Sequence, residues 1–309
     1  MGAGSIVVVG AGGVGGYFGA KLVRAGQAVT FLGRGAHLDA MRRAGLRVRS
    51  AIEGEWTVRV DAVDTLRGRP PADVAILAVK SFDTEAALAA LEPVVGPSTA
   101  VLTLQNGIDN VDKIDGALGP GHALGGAAYV FAGIDAPGVI VHRALGRVAL
   151  GELDGQVSAR ARAVHAALTG AQIPAELSTD IRRVMWEKYI YICAQAGTTA
   201  VTRASIGVIR QTPETWRLFR TILEELTALA TAAGIAVGAD VVERALITAS
   251  QLAPEATSSL ANDLAQGRRL ELEALHGHAV TLADKLGVPT PALGAVYAAL
   301  KPHVGGRRT

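Results

Sequence analysis

The chain has 309 residues, half of them hydrophobic, and a formal net charge of +2. This length suits two domains of ordinary size, and the absence of a basic block argues against nucleic-acid binding. No apolar run reaches the roughly 18 residues that a membrane span needs, and the apolar N-terminal run lacks the basic flank of a signal peptide. The single cysteine, Cys193, fits a reducing compartment. We therefore expect a cytoplasmic protein that binds neither nucleic acid nor membrane.

The chain opens with an apolar strand that runs directly into a glycine-rich turn and a helical pattern. Gly10, Gly12 and Gly15 have the G-x-G-x-x-G spacing, and Gly13 and Val14 stand between them. The first glycine permits the tight turn, the second lets the backbone approach a pyrophosphate, and the third lets the helix pack close to the strand. The free N–H groups of the helix N-terminus then face the phosphates. The motif predicts dinucleotide binding; the alternative is a glycine-rich turn that binds no nucleotide.

Strands and helices alternate through the first half of the chain. Strands are predicted at 6–10, 27–32, 73–79 and 99–104, helices at 13–25, 37–44, 84–91 and 157–170, a hairpin or two short strands at 46–61, and antiparallel strands at 122–152. The continuous apolar runs among them are typical of parallel strands buried on both faces.

The second half is helical in pattern. Helices are predicted at 180–196, 214–233, 239–250, 255–266, 269–286 and 291–300, with capping candidates at 178–180. The predicted fold class is α/β, with an N-terminal Rossmann-type doubly wound domain at 1–178 and an all-helical C-terminal domain at 179–309. Ligands are expected in a cleft at the carboxyl ends of the strands.

The residue after the second strand indicates which nicotinamide cofactor is used. NAD-binding loops place an acidic residue there to bind the ribose 2′-hydroxyl, but this chain has Arg34 and no carboxylate before Asp39. A guanidinium suits a 2′-phosphate, which favours NADP over NAD. The alternative is a solvated loop arginine.

Four polar residues are candidates for chemistry. Lys80 and Asn106 follow two buried strands, so both belong to the ligand-binding edge or are ordinary loop residues. Lys188 lies on an otherwise apolar helical face and is either a general acid or a lysine whose ammonium reaches water. Glu271 follows Arg268 and Arg269, and an acidic residue at that place also favours a first helical turn. No metal-ligand spacing and no nucleophilic triad are visible.

Five ordered motifs resemble the ketopantoate reductase (2-dehydropantoate 2-reductase) family over nearly the whole chain. They are GAGGVGGYFGAKL at 10–22, VKSFDT at 79–84, LQNGIDN at 104–110, WEKY at 186–189 and SSLANDLAQGRRLELEAL at 258–275. The resemblance implies NADPH-dependent reduction of a 2-keto acid to a 2-hydroxy acid, such as ketopantoate to pantoate.

The resemblance also implies residue roles. The family's catalytic lysine matches Lys188, and its partner glutamate matches Glu271. Its cofactor-contacting lysine and asparagine match Lys80 and Asn106, its 2′-phosphate residue matches Arg34, and its substrate-carboxylate serine matches Ser259. We expect Asn106 to help fix the substrate as well.

The chain departs from the family at two positions that recognise the substrate. Family members with the established activity usually carry asparagines four and eight residues after the lysine, and here these substrate-binding positions hold Ile192 and Ala196. Neither can hydrogen-bond a substrate hydroxyl, so we expect a more apolar pocket and leave the substrate open.

Two other interpretations stay open. One is a β-hydroxyacid dehydrogenase, although such enzymes usually have methionine where Val14 stands. The other is a catalytically silent NADPH-binding sensor. The small apolar residues of the helical half are compatible with a homodimer.

Overall fold

The computed structural model describes residues 4–307. They form two compact units. The first comprises the residues up to Gln105 together with Asp109–Val184, and the second comprises Asn106–Ile108 together with the residues from Met185 onward. The predicted boundary at 178/179 lies a few residues before this division.

The first unit is built on one mixed β-sheet. Its strands are β1 (Ser5–Val9), β2 (Ala28–Leu32), β3 (Leu46–Ser50), β4 (Gly54–Val58), β5 (Asp61–Val63), β6 (Ala72–Leu77), β7 (Val95–Thr103), β8 (Ala123–Ala136), β9 (Val139–Gly151) and β10 (Ala175–Leu177). The order is β4-β3-β9-β8-β7-β6-β1-β2-β5, with β10 beside β9. Only β3/β4 and β8/β9 pair antiparallel among these strands. The parallel centre and the antiparallel extension at 122–152 are both confirmed.

Five helices belong to this unit. They are α1 (Gly13–Arg24), α2 (Gly35–Ala44), α3 (Thr84–Leu91), α4 (Asn110–Leu118) and α5 (Ala159–Gly170), with 3-10 turns at Ser81–Asp83 and Glu92–Val94. The core lies between sheet and helices, where Val8, Phe18 and Phe31 are fully buried. This arrangement confirms the Rossmann-type class. Strand β5, strand β10 and helix α4 were not predicted, because the strands are very short and α4 carries a glycine and two aspartates.

The second unit is helical. Its elements are α6 (Ile181–Thr202, which begins in the first unit), α7 (Ile206–Gln211), α8 (Pro213–Ala232), α9 (Val241–Gln251), α10 (Ser259–Ala265), a π-helix (Glu273–Gly277), α11 (His278–Leu286), α12 (Pro291–Leu300) and a 3-10 turn (Lys301–His303). The predicted helical C-terminal domain is therefore confirmed. The short α7 was not predicted.

Two helices begin at least three residues later than predicted. The helix expected from 255 begins at Ser259, because the Ser258 hydroxyl caps it by accepting from the Ala261 N–H at 3.0 Å. The helix expected from 269 begins after Glu271, because the Leu270 N–H donates instead to the Val304 carbonyl at 3.0 Å. Residues 269–271 therefore run in extended or irregular backbone, and Glu271 lies just before the π-helix.

A buried carboxylate supports the last long helix. The first N–H groups of a helix have no partner within it, and in α12 those of Ala292 and Leu293 donate to Glu225 of α8, each at 2.8 Å. This contact joins α8 to α12 around the helical core.

Candidate functional site

The glycine loop has the geometry that each glycine was predicted to provide. Gly10 has a φ of +99°, and a Cβ there would lie 2.7 Å from the main-chain nitrogen of Val79. A Cβ on Gly15 would lie 2.2 Å from the Gly10 carbonyl oxygen and 3.0 Å from the Ala78 methyl group. By contrast, a Cβ on Gly12 would meet nothing within 4 Å. The loop is thus closely packed on its sheet side and open at Gly12, where α1 begins.

Gly13 and Val14 form the first turn of α1. A Cβ on Gly13 would lie 2.3 Å from the carbonyl oxygen of Ala132 on β8, so a larger side chain does not fit there. Val14 is half-buried and packs against the core of the first unit. These two residues fix where α1 begins, and thereby hold the open main chain at Gly12 in place.

Arg34 reaches across the carboxyl end of the central strand. It follows β2, precedes α2, and its side chain is 84% exposed. Its Nη2 donates to Asp83 Oδ2 at 2.8 Å, and Asp83 lies after β6. Because β1 lies between β6 and β2 in the sheet, this ion pair spans the strand that leads into the glycine loop.

A glutamine absent from the sequence prediction organises the neighbouring strand ends. Gln105 is buried after β7, and its Nε2 donates to the Val79 carbonyl at 3.1 Å and to the Thr84 hydroxyl at 2.8 Å. These bonds hold the segment that carries the exposed Lys80. In the sequence, Gln105 is marked only by its position next to Asn106 in the turn. That position does not distinguish it from an ordinary loop residue.

Asn106 is half-buried and belongs to the second unit. In the same short segment, Ile108 packs against the helical core. The segment 106–108 therefore departs from the sheet domain to which the sequence assigned it.

Lys188 and Glu271 interact within the helical unit. Lys188 is half-buried on α6, and Glu271 is 7% exposed. Burial lowers the pKa of Lys188 to about 8, and the Glu271 carboxylate acts in the opposite direction by favouring the ammonium. The lysine is therefore mostly protonated at neutral pH yet able to lose its proton within a physiologically accessible range, as a general acid requires.

The buried surroundings of this pair join α6 to the π-helix. The Tyr189 hydroxyl donates to the Leu275 carbonyl, and His276 Nε2 donates to the Cys193 carbonyl at 3.0 Å. Burial lowers the pKa of His276 to about 4, so its ring is neutral, and burial raises the pKa of the Cys193 thiol. Cys193 is completely buried and is part of the helical core. π-Helical turns occur frequently at functional sites.

The predicted substrate-binding residues differ in exposure. Ile192 is half-buried, Ala196 is buried, and Ser259 is exposed as the first residue of α10. The adjacent Ser258 is the buried serine, and its hydroxyl shares a 2.7 Å hydrogen bond with the Thr199 hydroxyl on α6. The start of α10 is thereby fixed to α6.

Residues 4–307 contain neither a metal-binding cluster nor a membrane-spanning helix. No group of three or more His, Cys, Asp or Glu side chains has an arrangement able to hold a metal ion. None of the helices in that range is long and apolar enough to cross a bilayer.

Similar proteins place the chain in a family. The family model for ketopantoate reductase PanE/ApbA matches residues 6–155, and the model for its C-terminal domain matches residues 180–304. A 2-dehydropantoate 2-reductase from Mesorhizobium japonicum is 31% identical, and the alignment covers 96% of each chain.

Solved structures include similar proteins, one of them from the same family. A PanE/ApbA family ketopantoate reductase from Ralstonia eutropha is 30% identical with a TM-score of 0.89, over 97% of this chain and 98% of that one. A ternary structure of D-mandelate dehydrogenase with NADH and anilino(oxo)acetate has a TM-score of 0.89 over 97% of this chain and 98% of that one; at 22% identity, this likeness concerns the fold alone. The two family matches, together with a sheet unit that carries the glycine loop and a helical unit that carries Lys188 and Glu271, show that this chain belongs to the ketopantoate reductase family of oxidoreductases.

Proposed function

We propose that this protein reduces a 2-keto acid to the 2-hydroxy acid with NADPH as the electron donor, and that Lys188 is the general acid. The observation that carries the proposal is the half-buried Lys188, whose pKa is lowered to about 8, beside the buried Glu271. Effective general acids have pKa values near the working pH. Family membership supports 2-keto acid reduction in general.

The glycine loop fits a dinucleotide. The open space over Gly12 leaves room for a pyrophosphate beside the main chain, whereas the packed sides of Gly10 and Gly15 hold the loop in place. The N-terminus of α1 adds free N–H groups and a positive dipole end. In this proposal the cofactor contacts Gly10, Gly12, Gly13, Val14 and Gly15.

Three polar residues complete the proposed cofactor site. Arg34 is exposed beside the carboxyl end of β1, and its planar fork suits a 2′-phosphate. When a 2′-phosphate binds, Arg34 would either leave the Asp83 carboxylate or contact both groups. Lys80 and Asn106 are the other two residues that we propose to contact the cofactor.

The chemistry at the carbonyl has two parts. The glycine loop, Arg34, Lys80 and Asn106 would hold the nicotinamide cofactor, and hydride transfer to the carbonyl carbon is the chemistry that it would supply. Lys188 transfers its Nζ proton to the carbonyl oxygen as negative charge develops there, which leaves a neutral amine and an alcohol. The Glu271 carboxylate favours the ammonium before the transfer and so keeps the acid charged at neutral pH.

The substrate is proposed to bind along α6. Asn106 and Ser259 are proposed to hold the substrate carboxylate and carbonyl by hydrogen bonds, while Ile192 and Ala196 offer apolar contact. A substrate that carries a hydroxyl at those apolar positions would lose hydrogen bonds to water without replacement, which disfavours ketopantoate relative to aliphatic 2-keto acids.

The decisive experiment is a panel of 2-keto acids, beginning with ketopantoate, assayed with NADPH and NADH side by side. Oxidation of NADPH with at least one 2-keto acid is the expected result. Tight NADPH binding without turnover on any member would overturn the proposal in favour of a sensor. Oxidation of 3-hydroxy acids with NADP⁺ in a parallel assay, without reduction of any 2-keto acid, would favour the β-hydroxyacid dehydrogenase. The homodimer stays a prediction that light scattering tests.

A further inference from the structure

Helix α6 carries a polar residue in line with Lys188 that the proposed mechanism does not use. Gln195 follows Lys188 by seven residues, just under two helical turns, so both lie on nearly the same line along the helix. Their Cα atoms are separated by roughly 10 Å along the axis. Both residues belong to the helical unit.

The side-chain amide of Gln195 is buried without a partner. Gln195 is 5% exposed, and its Nε2 has no hydrogen-bond partner among residues 4–307. An amide N–H group removed from water without an acceptor is destabilising, and such groups are rare in native proteins. The main-chain carbonyl of Gln195 accepts from the Thr199 hydroxyl at 2.6 Å. An unsatisfied donor at this place fits a ligand that supplies the acceptor.

The aliphatic side chain of Ile192 and the ring of Tyr191 lie between the two polar residues on this face of α6. Ile192 lies one turn beyond Lys188 and is half-buried. A molecule that contacts both Lys188 and Gln195 therefore passes over an aliphatic side chain, which favours methylene groups in its middle.

We propose that Gln195 determines substrate specificity by donating a hydrogen bond to an oxygen acceptor at the far end of the substrate. The inference rests on the proposed function and narrows its substrate class to 2-keto acids with a short aliphatic middle and a distal carbonyl or carboxylate oxygen. The roughly 10 Å between the two residues suits a main chain of about five to seven carbons. The keto oxygen takes the Lys188 proton, and the distal oxygen satisfies Gln195.

The test compares substrates that differ only at the far end. These are 2-oxohexanoate, which has no distal acceptor, 2-oxoadipate, which has a carboxylate, and the 6-methyl ester of 2-oxoadipate, which has a neutral carbonyl. We expect kcat/KM to be about ten-fold or more higher for the acceptor-bearing substrates, the size of one hydrogen bond to a buried donor. Gln195→Leu should remove this preference, mainly through KM, and leave 2-oxohexanoate unchanged within about two-fold.

Two further variants make the test specific. Gln195→Glu replaces the donor by a carboxylate and should reject 2-oxoadipate most strongly, because two carboxylates would then face each other. Gln251→Leu removes an exposed glutamine at the end of α9 and should change neither the preference nor stability.

Stability separates a ligand-binding role from a structural one. Gln195→Leu removes an unsatisfied buried donor, so the melting temperature should stay the same or rise. A lower melting temperature together with equal losses on all three substrates would overturn the proposal, because it would show that Gln195 supports the fold.

Ligand binding to the cofactor-loaded protein tests the role of Gln195 independently of turnover. Calorimetry with 2-hydroxyadipate and 2-hydroxyhexanoate should show a preference for the former in the native protein and none in Gln195→Leu. Selective binding without turnover would contradict the proposed function and uphold the role of Gln195. Turnover with no dependence on Gln195 would overturn this inference alone.

Discussion

The Tyr189 hydroxyl donates a hydrogen bond to the main-chain carbonyl of Leu275. Tyr189 follows Lys188 on α6, and Leu275 lies in the π-helix shortly after Glu271. The bond therefore joins the segment that carries the proposed acid to the segment that carries its carboxylate partner. Both ends are buried, at 1% and 3% exposure.

This bond predicts unequal effects of two tyrosine substitutions on the same helix. Tyr189→Phe removes this bond, whereas the Leu275 carbonyl still accepts from the His278 N–H, so the free energy of unfolding should fall by about 0.5–1.5 kcal/mol. Tyr191→Phe removes a buried hydroxyl that has no partner among residues 4–307 and should cost almost nothing. Urea denaturation of both variants measures the difference, and equal stabilities would contradict the assigned role of Tyr189.

Replacing the proposed acid should separate chemistry from cofactor binding. Lys188→Ala removes the proton donor and should lower kcat by about 10²–10⁴-fold, the usual contribution of general acid catalysis. The dissociation constant of NADPH, measured by fluorescence titration, should change by less than about two-fold. Lys285→Ala, which removes an exposed lysine on α11, is the matched control. Unchanged turnover in Lys188→Ala would refute the assignment.

The pKa of about 8 for Lys188 predicts a pH profile. The acid must be protonated before it donates, so kcat for reduction should be constant below pH 7 and fall as pH rises through about 8. Glu271 raises the pKa of the lysine, so Glu271→Gln should move the midpoint to lower pH. Steady-state rates at saturating substrate from pH 6 to 10 provide the measurement, and a midpoint that moves upward in Glu271→Gln would reverse the sign of the interaction.

The glycine loop predicts a contrast between two alanine substitutions. Gly12→Ala places a methyl group in open space, so the protein should keep its melting temperature within about 2 °C but lose NADPH affinity, since the methyl stands where a pyrophosphate approaches. Gly15→Ala would bring its methyl group to 2.2 Å from the Gly10 carbonyl, so it should lower the melting temperature. Differential scanning fluorimetry with and without NADPH distinguishes the two, and a stable Gly12→Ala with native affinity would contradict the cofactor site.

The position of Arg34 predicts that NADPH is preferred over NADH. Charge-assisted hydrogen bonds to a phosphate contribute about 1.5–3 kcal/mol, so Arg34→Ala should weaken NADPH binding by about 10–100-fold. NADH has no 2′-phosphate, so its affinity should change little. Arg43→Ala, an exposed arginine near the end of the same helix α2, is the control. Equal losses for both cofactors would assign Arg34 a general rather than a 2′-phosphate role.

Local patterns in the sequence predicted most of the fold. The continuous apolar runs identify β1, β6 and β7, because strands buried on both faces need apolar residues at every position. Helix α6 was recognised from its periodicity and capping residues. The elements that were missed, such as β5 and β10, have three residues each, and strands of that length depend on pairing with neighbours rather than on their own composition.

The start of the π-helix shows where local patterns stop being sufficient. Residues 269–271 resemble the first turn of a helix, yet the Leu270 N–H bonds to Val304 from the far end of the chain. That contact holds Glu271 outside the helix. The position of the Glu271 carboxylate relative to Lys188 therefore depends on Val304, which is distant from Glu271 in the sequence.

The sequence by itself determined the glycine loop and the α/β class, because each depends on residue types at short or fixed spacing. Its resemblance to the ketopantoate reductase family identified Lys188 and Glu271 as a candidate pair. Only the tertiary structure decided that burial brings the pKa of Lys188 to about 8. It also decided that the Gln195 amide is buried without an acceptor. Both properties arise from desolvation by segments distant in sequence, and the cost of removing a polar group from water depends on everything packed around it.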